Sequence, residues 1–361
     1  MKSAIETHGD GRGVRRTWAA AAGVTAIGLA LAACSGSKSP APKASPTQSV
    51  VTSSPSIGPT EPLTGKPVKD AAALNHAAVA IKISDVPESQ PEVGVDRADI
   101  VFVEPVGVSY TRLAAVFHSD LPKSIGPVRS VRPVDAPLLG PLAPVFGNTM
   151  GADWVLRYVD ENSDVDDLGT LKVRGTGAYV LDHKRVSPNH VFAVPQVLLK
   201  LSDHKAPPKP YFQYASSAAG SSASSSGTAG TSAVVSYGPR YDVSWSYDTA
   251  KQQYLRKQPW GNHTMADGTQ VHATNVLILR VESKKEKIGS GSGQAVPVLN
   301  LINATGDLVA LSGGKAVKGT WQKGEPNEPF VLKAADGSTL ELAPGNTWVE
   351  LPTPAAAVTV K

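Results

Sequence analysis

Cys34 is the only cysteine of the chain, so no disulfide bond can form within it. Small exported domains often depend on disulfides, whereas this chain has to maintain its fold by burying apolar side chains. With 361 residues, of which 41% are hydrophobic, it is long enough for substantial cores, and its length predicts two domains. The residues around Cys34 indicate where such a protein works.

The first 33 residues have the pattern of a lipoprotein signal peptide. Basic residues up to Arg16 precede an uncharged stretch at 18–33. At about 1.5 Å per residue that stretch spans only about 24 Å, which is short for a membrane crossing. It ends in Leu31-Ala32-Ala33 directly before Cys34, the form of a lipobox, in which the cysteine becomes the acylated N-terminus. The sequence therefore predicts lipidation at Cys34 (acyl chains such as palmitate) and a protein at the extracytoplasmic face of the cell membrane. The pair Arg15-Arg16 leaves the export route, general or twin-arginine, open.

The charge outside the signal peptide gives no reason to expect a nucleic-acid partner. Residues 1–33 carry four basic and two acidic residues, so the formal net charge of +4 falls to about +2 without them. Nucleic-acid-binding domains usually carry a basic patch and a high pI. The predicted partners are the membrane, through the N-terminal lipid, and a cell-wall glycan or an envelope protein.

Two low-complexity segments divide the predicted mature chain. Residues 34–61 are rich in Ser, Pro and Thr, and they predict a disordered tether. Residues 213–233, with the Ser/Ala/Gly tract 215–233, predict a flexible linker. These segments leave an N-terminal domain at 62–212 and a C-terminal domain at 234–361.

The two predicted domains differ in secondary-structure pattern. In the first, strands are predicted at 77–83, 100–103 and 110–118, the last two as a hairpin, and short helices at 136–146 and 154–158. In the second, strands are predicted at 241–247 and 275–281, followed by regularly spaced turns. The predicted fold class is α+β, with a mixed α/β N-terminal domain followed by a smaller, mainly β C-terminal domain.

Several segments resemble one bacterial family. The longest is VAIKISDVPESQPEVGVDRADIVFVEPVGVSYTRLAAVFHSDLPKSIGPVRSVRP at 79–133, and LAPGNTWVEL at 342–351 agrees with it. Both resemble the YerB-like bacterial lipoproteins, a two-domain family of unknown biochemical function. The resemblance covers nearly the whole mature chain and implies a lipid-anchored envelope protein, without implying a reaction. The tract at 215–233 is where this sequence departs from the family pattern.

The most distinctive local feature is GPVRSVRP at 126–133. Its Gly-Pro turn presents Arg129 and Arg132 beside Ser130, and Arg112 lies in the adjacent predicted hairpin. Guanidinium groups bind carboxylates and phosphates in a bidentate manner. The pattern predicts a site for a phosphate, a uronate or a peptide carboxylate.

Acidic residues offer a structural alternative, in which Asp99, Glu104 or Asp135 pairs with these arginines and fixes the turn. Asp99 and Glu104 flank one predicted strand at an odd separation, which places them on opposite faces. This disfavours a mechanism with paired carboxylates, and Asp99 is expected to cap a turn.

Glu104, His118, Asn189 and His190 are further candidates for a polar cleft. The histidines are suited to act as a base or as metal ligands, yet the sequence has no HExxH motif and no close spacing of carboxylate and histidine. We expect ordinary hydrogen-bonded histidines and predict no metal and no cofactor.

In the second domain, Arg256, Trp260, Asn262 and His263 are residue types that bind sugar rings. The alternative is that this cluster seals one end of the β domain.

Three functions fit these patterns, one of them a purely structural spacer that holds an envelope complex together. The first is a cell-surface lipoprotein that binds an anionic envelope ligand or a partner protein. The alternative is a cell-wall-modifying hydrolase, with the arginines stabilising charge beside a carboxylate or histidine. Convergence of His118, His190, Glu104, Arg129 and Arg132 in one cleft would favour the hydrolase.

Overall fold

The computed structural model describes residues 58–107 and 110–361. Cys34, the predicted signal peptide and most of the predicted tether lie outside the described residues. Pro55–Lys361 form one compact unit. In the described ranges, no helix is long and apolar enough to cross a membrane.

Strands dominate the described part of the chain, and the helices are short. The helices are α1 (Asp135–Leu139), α2 (Asp153–Asn162), α3 (Pro195–Leu201) and α4 (Ser222–Ser226), with 3-10 turns at Ala71–Leu74, Pro87–Ser89, Val95–Arg97, Gly140–Leu142 and Ala218–Gly220. The strands are β1 (Val79–Asp85), β2 (Ile100–Pro105), β3 (Thr111–Phe117), β4 (Val145–Gly147), β5 (Asp166–Asp167), β6 (Tyr179–Leu181), β7 (Val191–Ala193), β8 (Thr228–Ala229), β9 (Ser232–Ser236), β10 (Asp242–Asp248), β11 (Gln253–Gln258), β12 (Gly261–Asn262), β13 (His272–Ala273), β14 (Asn275–Leu279), β15 (Ser283–Glu286), β16 (Val296–Leu299), β17 (Ala304–Ser312), β18 (Lys315–Lys323), β19 (Val331–Ala334), β20 (Thr347–Glu350) and β21 (Val358–Val360). Only strands occur from residue 234 onward, so the α+β class with a mainly β second half is confirmed.

The predicted strands of the first half lie next to each other. β2 pairs antiparallel with β3, as the predicted hairpin requires, and β3 pairs antiparallel with β1. All residues of β1 and β3 are buried, which is typical of interior strands in a sheet covered on both faces. The helix predicted at 136–146 ends early, because Val145–Gly147 forms β4 and pairs in parallel with β1.

The two predicted domains share one sheet. Eleven strands form it in the order β19-β18-β17-β14-β20-β2-β3-β1-β4-β5, with β8 beside β18. β20 pairs in parallel with β2, with Ile100 opposite Thr347 and Val103 opposite Glu350. Main-chain hydrogen bonds therefore join the halves.

Each face of this sheet carries its own core. On one face, Phe102, Leu138 and Trp154 pack with C-terminal residues such as Trp321. On the other face lies a six-stranded sheet in the order β12-β11-β10-β9-β21, with β13 beside β11. Both cores contain residues from both halves, so neither predicted domain has a core of its own.

The segment 213–233 is ordered, which differs from the predicted flexible linker. The Ser221 side chain caps α4, and Ala223 is buried. β8 then pairs with β18. A Cβ atom at Gly227 would lie 2.7 Å from the carbonyl oxygen of Ala316, so a side chain there would block the close approach to β18. The small residues that predicted flexibility serve close packing.

Candidate functional site

The predicted arginines meet where the segment after β3 runs beside β1. The main-chain N–H of Arg129 donates to the carbonyl of Lys82 on β1 at 2.8 Å. On β3, Arg112 lies opposite Glu104 of β2. Because β1 and β2 both pair with β3, these contacts bring the segments together. We call the resulting group the arginine site: Arg112, Arg129, Ser130 and Arg132.

Among the described residues, the guanidinium groups of Arg112 and Arg132 hydrogen-bond to main-chain carbonyls, and that of Arg129 makes no hydrogen bond. Nη1 of Arg112 donates to the carbonyl of Ser130 at 2.9 Å, and Nη1 of Arg132 donates to the carbonyl of Val131 at 2.8 Å. The Nε atoms of Arg129 and Arg132 are buried without a hydrogen-bond partner among the described residues. No described carboxylate lies within 4.0 Å of these guanidinium groups. The structural alternative required salt bridges from these arginines to Asp99, Glu104 or Asp135. No such side-chain salt bridge occurs among the described residues.

Burial lowers the pKa of each of the three arginines, and neighbouring arginine charges lower the pKa of Arg112 and Arg129 further. Guanidinium groups nevertheless remain protonated at neutral pH. The charge of Glu104 opposes this lowering of the pKa at Arg112 and Arg132, and that of Asp135 does so at Arg132. The three like charges still repel each other, and a bound anion would relieve that repulsion.

A fully buried ion cluster lies behind the arginine site. Nζ of Lys82 contacts the carboxylates of Glu104 and Asp135, the latter at 2.7 Å. The other oxygen of Asp135 accepts the main-chain N–H of Arg132 at 2.6 Å, which holds the turn. Burial, followed by the charge of Asp135, raises the pKa of Glu104 to about 7, and its Oε2 has no partner among the described residues. Lys82 and the three arginines carry four positive charges, and Glu104 and Asp135 carry two negative charges, so the formal net charge of the site and the cluster is +2.

Tyr110 adds an aromatic ring to the arginine site. It is 43% exposed, and its hydroxyl lies close enough to influence the pKa of all three arginines. A Cβ atom at Gly107 would lie 2.8 Å from the ring, so glycine there leaves room for the tyrosine. The site thus combines cationic groups with a partly exposed ring.

Asn189 and His190 lie on a segment that runs beside the arginine turn. The carbonyl of Val191 accepts the N–H of Val128 at 2.8 Å, which aligns the two segments. Oδ1 of Asn189 and Nδ1 of His190 are buried without described partners. The structure shows no hydrogen bond from either side chain to the three arginines.

His118 lies apart from the arginine site. It follows the end of β3, six residues from Arg112, which corresponds to about 20 Å along a strand. Its Nε2 is 3.0 Å from the carbonyl of Leu74, and it lines a separate cavity of about 690 Å³. Burial and the neighbouring His76 lower the pKa of His118 to about 4. The four polar-cleft candidates, Glu104, His118, Asn189 and His190, therefore do not form one cleft.

Asp99 has the capping role expected from the sequence. Its Oδ2 accepts the main-chain N–H groups of His118 at 2.6 Å and Ser119 at 2.9 Å. It makes no described contact with the arginines, and the cap stabilises the turn after β3.

A second polar cluster, which the sequence did not predict, joins the two sheets. We call it the interdomain ion network: Asp85 on β1, Arg256 on β11 and Glu350 on β20. Nη2 of Arg256 lies 3.0 Å from Asp85 and its Nε lies 3.7 Å from Glu350, and all three side chains are fully buried. Burial alone would raise the pKa of Asp85, but Arg256 and His263 outweigh it and lower the value to about 2. Because Arg256 and His263 are buried, they support the sealing role over sugar binding.

Asp85, Glu92 and His263 place three candidate metal-ligand atoms within 4.8 Å of one another. Nη1 of Arg256 lies 2.9 Å from Nδ1 of His263 and 3.3 Å from Oδ1 of Asp85. On its other side, Nε2 of His263 lies 3.2 Å from Glu92. A guanidinium already supplies the positive charge here, so the geometry is that of an ion-pair network.

Sequence reasoning missed Lys82, Asp85 and Tyr110 as members of these clusters. Lys82 and Asp85 interrupt the otherwise apolar run AAVAIKISD, and a charge in a buried strand signals a buried partner. The partners Asp135 and Arg256 are distant in sequence, so spacing could not identify them.

Comparisons with known proteins agree with this architecture. Residues 63–208 match the family described as "Protein of unknown function (DUF3048) N-terminal domain", and residues 233–349 match its C-terminal domain. A relative from Bacillus subtilis (strain 168), "Putative lipoprotein YerB", is 23% identical over 301 residues, covering 80% of this chain and 85% of that protein. The crystal structure of YerB from Bacillus subtilis has the same fold, with a TM-score of 0.70 and 20% identity over 83% of this chain and 99% of that chain. This chain therefore belongs to the two-domain DUF3048 family, the family that its sequence resembles.

Proposed function

We propose that this chain is an envelope lipoprotein, anchored through Cys34, that binds an anionic ligand at the arginine site. The lipobox and the name of the Bacillus relative support the anchor. Replacing Cys34 with Ala in the full chain should move the protein from the membrane fraction to the soluble fraction. A variant that stays in the membrane fraction would exclude lipidation as the anchor.

One observation supports anion binding most strongly: three guanidinium groups lie together without a described carboxylate within 4.0 Å. Buried arginines are usually paired, because an unpaired buried charge is costly. Here the nearest acids, Glu104 and Asp135, are bound to Lys82 instead. The protein thus keeps the cationic groups available, as a binding site for a carboxylate or a phosphate would require.

The ligand class that fits best is a cell-wall glycan fragment with a carboxylate or phosphate. Arg129 and Arg132 are half-buried, so part of each side chain remains accessible to a ligand. Tyr110 offers a ring against which a sugar can pack, beside the groups that would hold its anion. The extracytoplasmic location proposed here would bring such glycans within reach.

The hydrolase alternative has less support. His118 lies about 20 Å along β3 from Arg112, and Glu104 is fully buried and bound to Lys82. Of the polar candidates, only Asn189 and His190 lie on a segment beside the arginine turn.

A thermal-shift and calorimetry series on residues 55–361, the compact unit, tests the proposal. The probes are inorganic phosphate and soluble muropeptides. The test variant is Arg129→Gln/Arg132→Gln, and the control is Arg157→Gln/Arg174→Gln, which removes two exposed arginines elsewhere. Because a ligand that binds only the folded state raises its melting temperature, we expect a saturable shift in the wild type and the control, and none in the test variant. Equal shifts in all three proteins, or no shift with any probe, would overturn the proposal.

A further inference from the structure

The six-stranded sheet has an open edge. β21 is the last strand in its order, and no other described strand pairs with its outer edge. Ser232 of β9 exchanges two main-chain hydrogen bonds with Lys361, both 3.0 Å long. Because the bonding direction alternates along a strand, the N–H and C=O groups of Val358 and Val360 point away from β9. Two residues of β21 thus present main-chain donors and acceptors without a strand partner.

A groove of about 770 Å³ lies along this edge. Its floor contains one row of the large sheet, in which Ile278, Val309 and Lys318 lie side by side in register. Val309 is half-buried, and Lys318 is exposed without an ion-pair partner in the described part of the chain. One more strand beside β21 would extend the six-stranded sheet along this groove.

We infer that this groove binds an extended segment of another polypeptide, which adds to β21 as a further strand. An extended main chain has the donor and acceptor spacing that Val358 and Val360 require. Alternate side chains of the segment would face Val309 and Ile278 and should be small and apolar, since successive residues of a strand point to opposite faces. A carboxylate on the segment would pair with Lys318. The arginine site is separate from this groove, because it lies on β3 and the segment after β3.

The test starts from peptides selected on residues 55–361 from a random dodecapeptide display library. We expect enriched peptides with apolar residues at every second position and an acidic residue. Synthetic versions of one peptide, N-methylated either at one alternating set of amides or at the other, are then compared by calorimetry. Only one set can donate to β21, so methylation of that set should weaken binding at least tenfold, and methylation of the other should have little effect. This readout uses the wild-type protein, so it does not depend on the folding of a variant.

A matched pair of variants locates the site. Val309→Lys places a charge on the groove floor and should weaken peptide binding at least tenfold. Val234→Lys changes a valine that is 37% exposed on the outer face of β9 and should bind like the wild type. No enrichment of alternating peptides, equal effects of the two methylation sets, or equal binding by the two variants would overturn the inference. Self-association of the wild type that Val309→Lys abolishes would assign the groove to a second copy and overturn the choice of a different polypeptide.

Discussion

Replacing Arg256 with Met tests whether the interdomain ion network holds the two halves together. The guanidinium is fully buried, lies 3.0 Å from Asp85 and 3.7 Å from Glu350, and bonds to His263. Met would therefore leave two buried carboxylates without their cation. Removing one partner of a buried ion pair costs about 3–5 kcal/mol, a large part of the total stability of about 5–15 kcal/mol typical of a native protein. We expect Arg256→Met to lower the free energy of unfolding by about 4 kcal/mol.

Urea unfolding of residues 55–361, followed by tryptophan fluorescence, measures this loss. The Trp348 ring lies 5.0 Å from Cζ of Arg256, and Trp245 donates to Glu350 at 2.9 Å, so the probes are close to the change. With an m-value of about 3 kcal/mol/M or more, the midpoint should fall by about 1 M.

A double variant provides the control. Asp85→Asn/Arg256→Met removes one of the two stranded carboxylates, so it should be more stable than the sum of the single losses predicts. A loss below about 1 kcal/mol in Arg256→Met, or simple additivity in the double variant, would refute the reasoning.

Three further changes probe other parts of the molecule. Burial raises the pKa of Glu104 from 4.5 to about 7, so the folded state binds this proton more tightly than the unfolded state does. As the pH rises from about 4.5 to about 7, the free energy of unfolding of the wild type should therefore fall by up to about 3 kcal/mol. Glu104→Gln removes the titrating carboxyl, so this fall should be absent in the variant. Equal pH slopes of the wild type and the variant in urea titrations would contradict this. Ser221→Ala removes the side-chain cap of α4 and should cost about 1 kcal/mol in the same assay, whereas Ser226→Ala, at an exposed position, should cost less; equal losses would show that the cap does not stabilise the segment. Gly107→Ala should displace the Tyr110 ring and weaken muropeptide binding about tenfold, while phosphate binding stays unchanged in calorimetry; equal weakening of both would argue against contact between the ring and the sugar.

The sequence predicted five strands by their bounds, because each is an apolar or alternating run bounded by turns. The strands expected at 100–103 and 275–281 occur as β2 and β14. It did not predict that β20 inserts between them, because the pairing of Ile100 with Thr347, 247 positions apart, leaves no local signal. The continuous sheet was missed for this reason, although the character of each half was correct.

Composition was misleading in the segment 213–233. Ser, Ala and Gly usually indicate a flexible linker, because they bury little apolar area. In this fold their small size allows α4 and β8 to approach β18, and a serine hydroxyl caps the helix. Composition alone cannot separate a chain that is unable to pack from one that packs closely.

The arginine site was partly predictable. Arg129, Ser130 and Arg132 share one short motif, and Arg112 lies on a predicted strand nearby. Their lack of carboxylate partners was not predictable, because it depends on the capture of Glu104 and Asp135 by Lys82. A lysine in an apolar strand was the available signal.

The most direct test of anion binding observes the unpartnered Nε atoms of Arg129 and Arg132 themselves. Nitrogen-15 NMR of the arginine Nε–Hε groups in residues 55–361, assigned with Arg129→Gln and Arg132→Gln, follows each group during titration with inorganic phosphate and soluble muropeptides. We predict saturable shifts of the Arg129 and Arg132 signals with at least one of these probes, while exposed Arg157 stays unchanged. Signals that do not move with any probe, or an Arg157 signal that moves equally, would contradict the account.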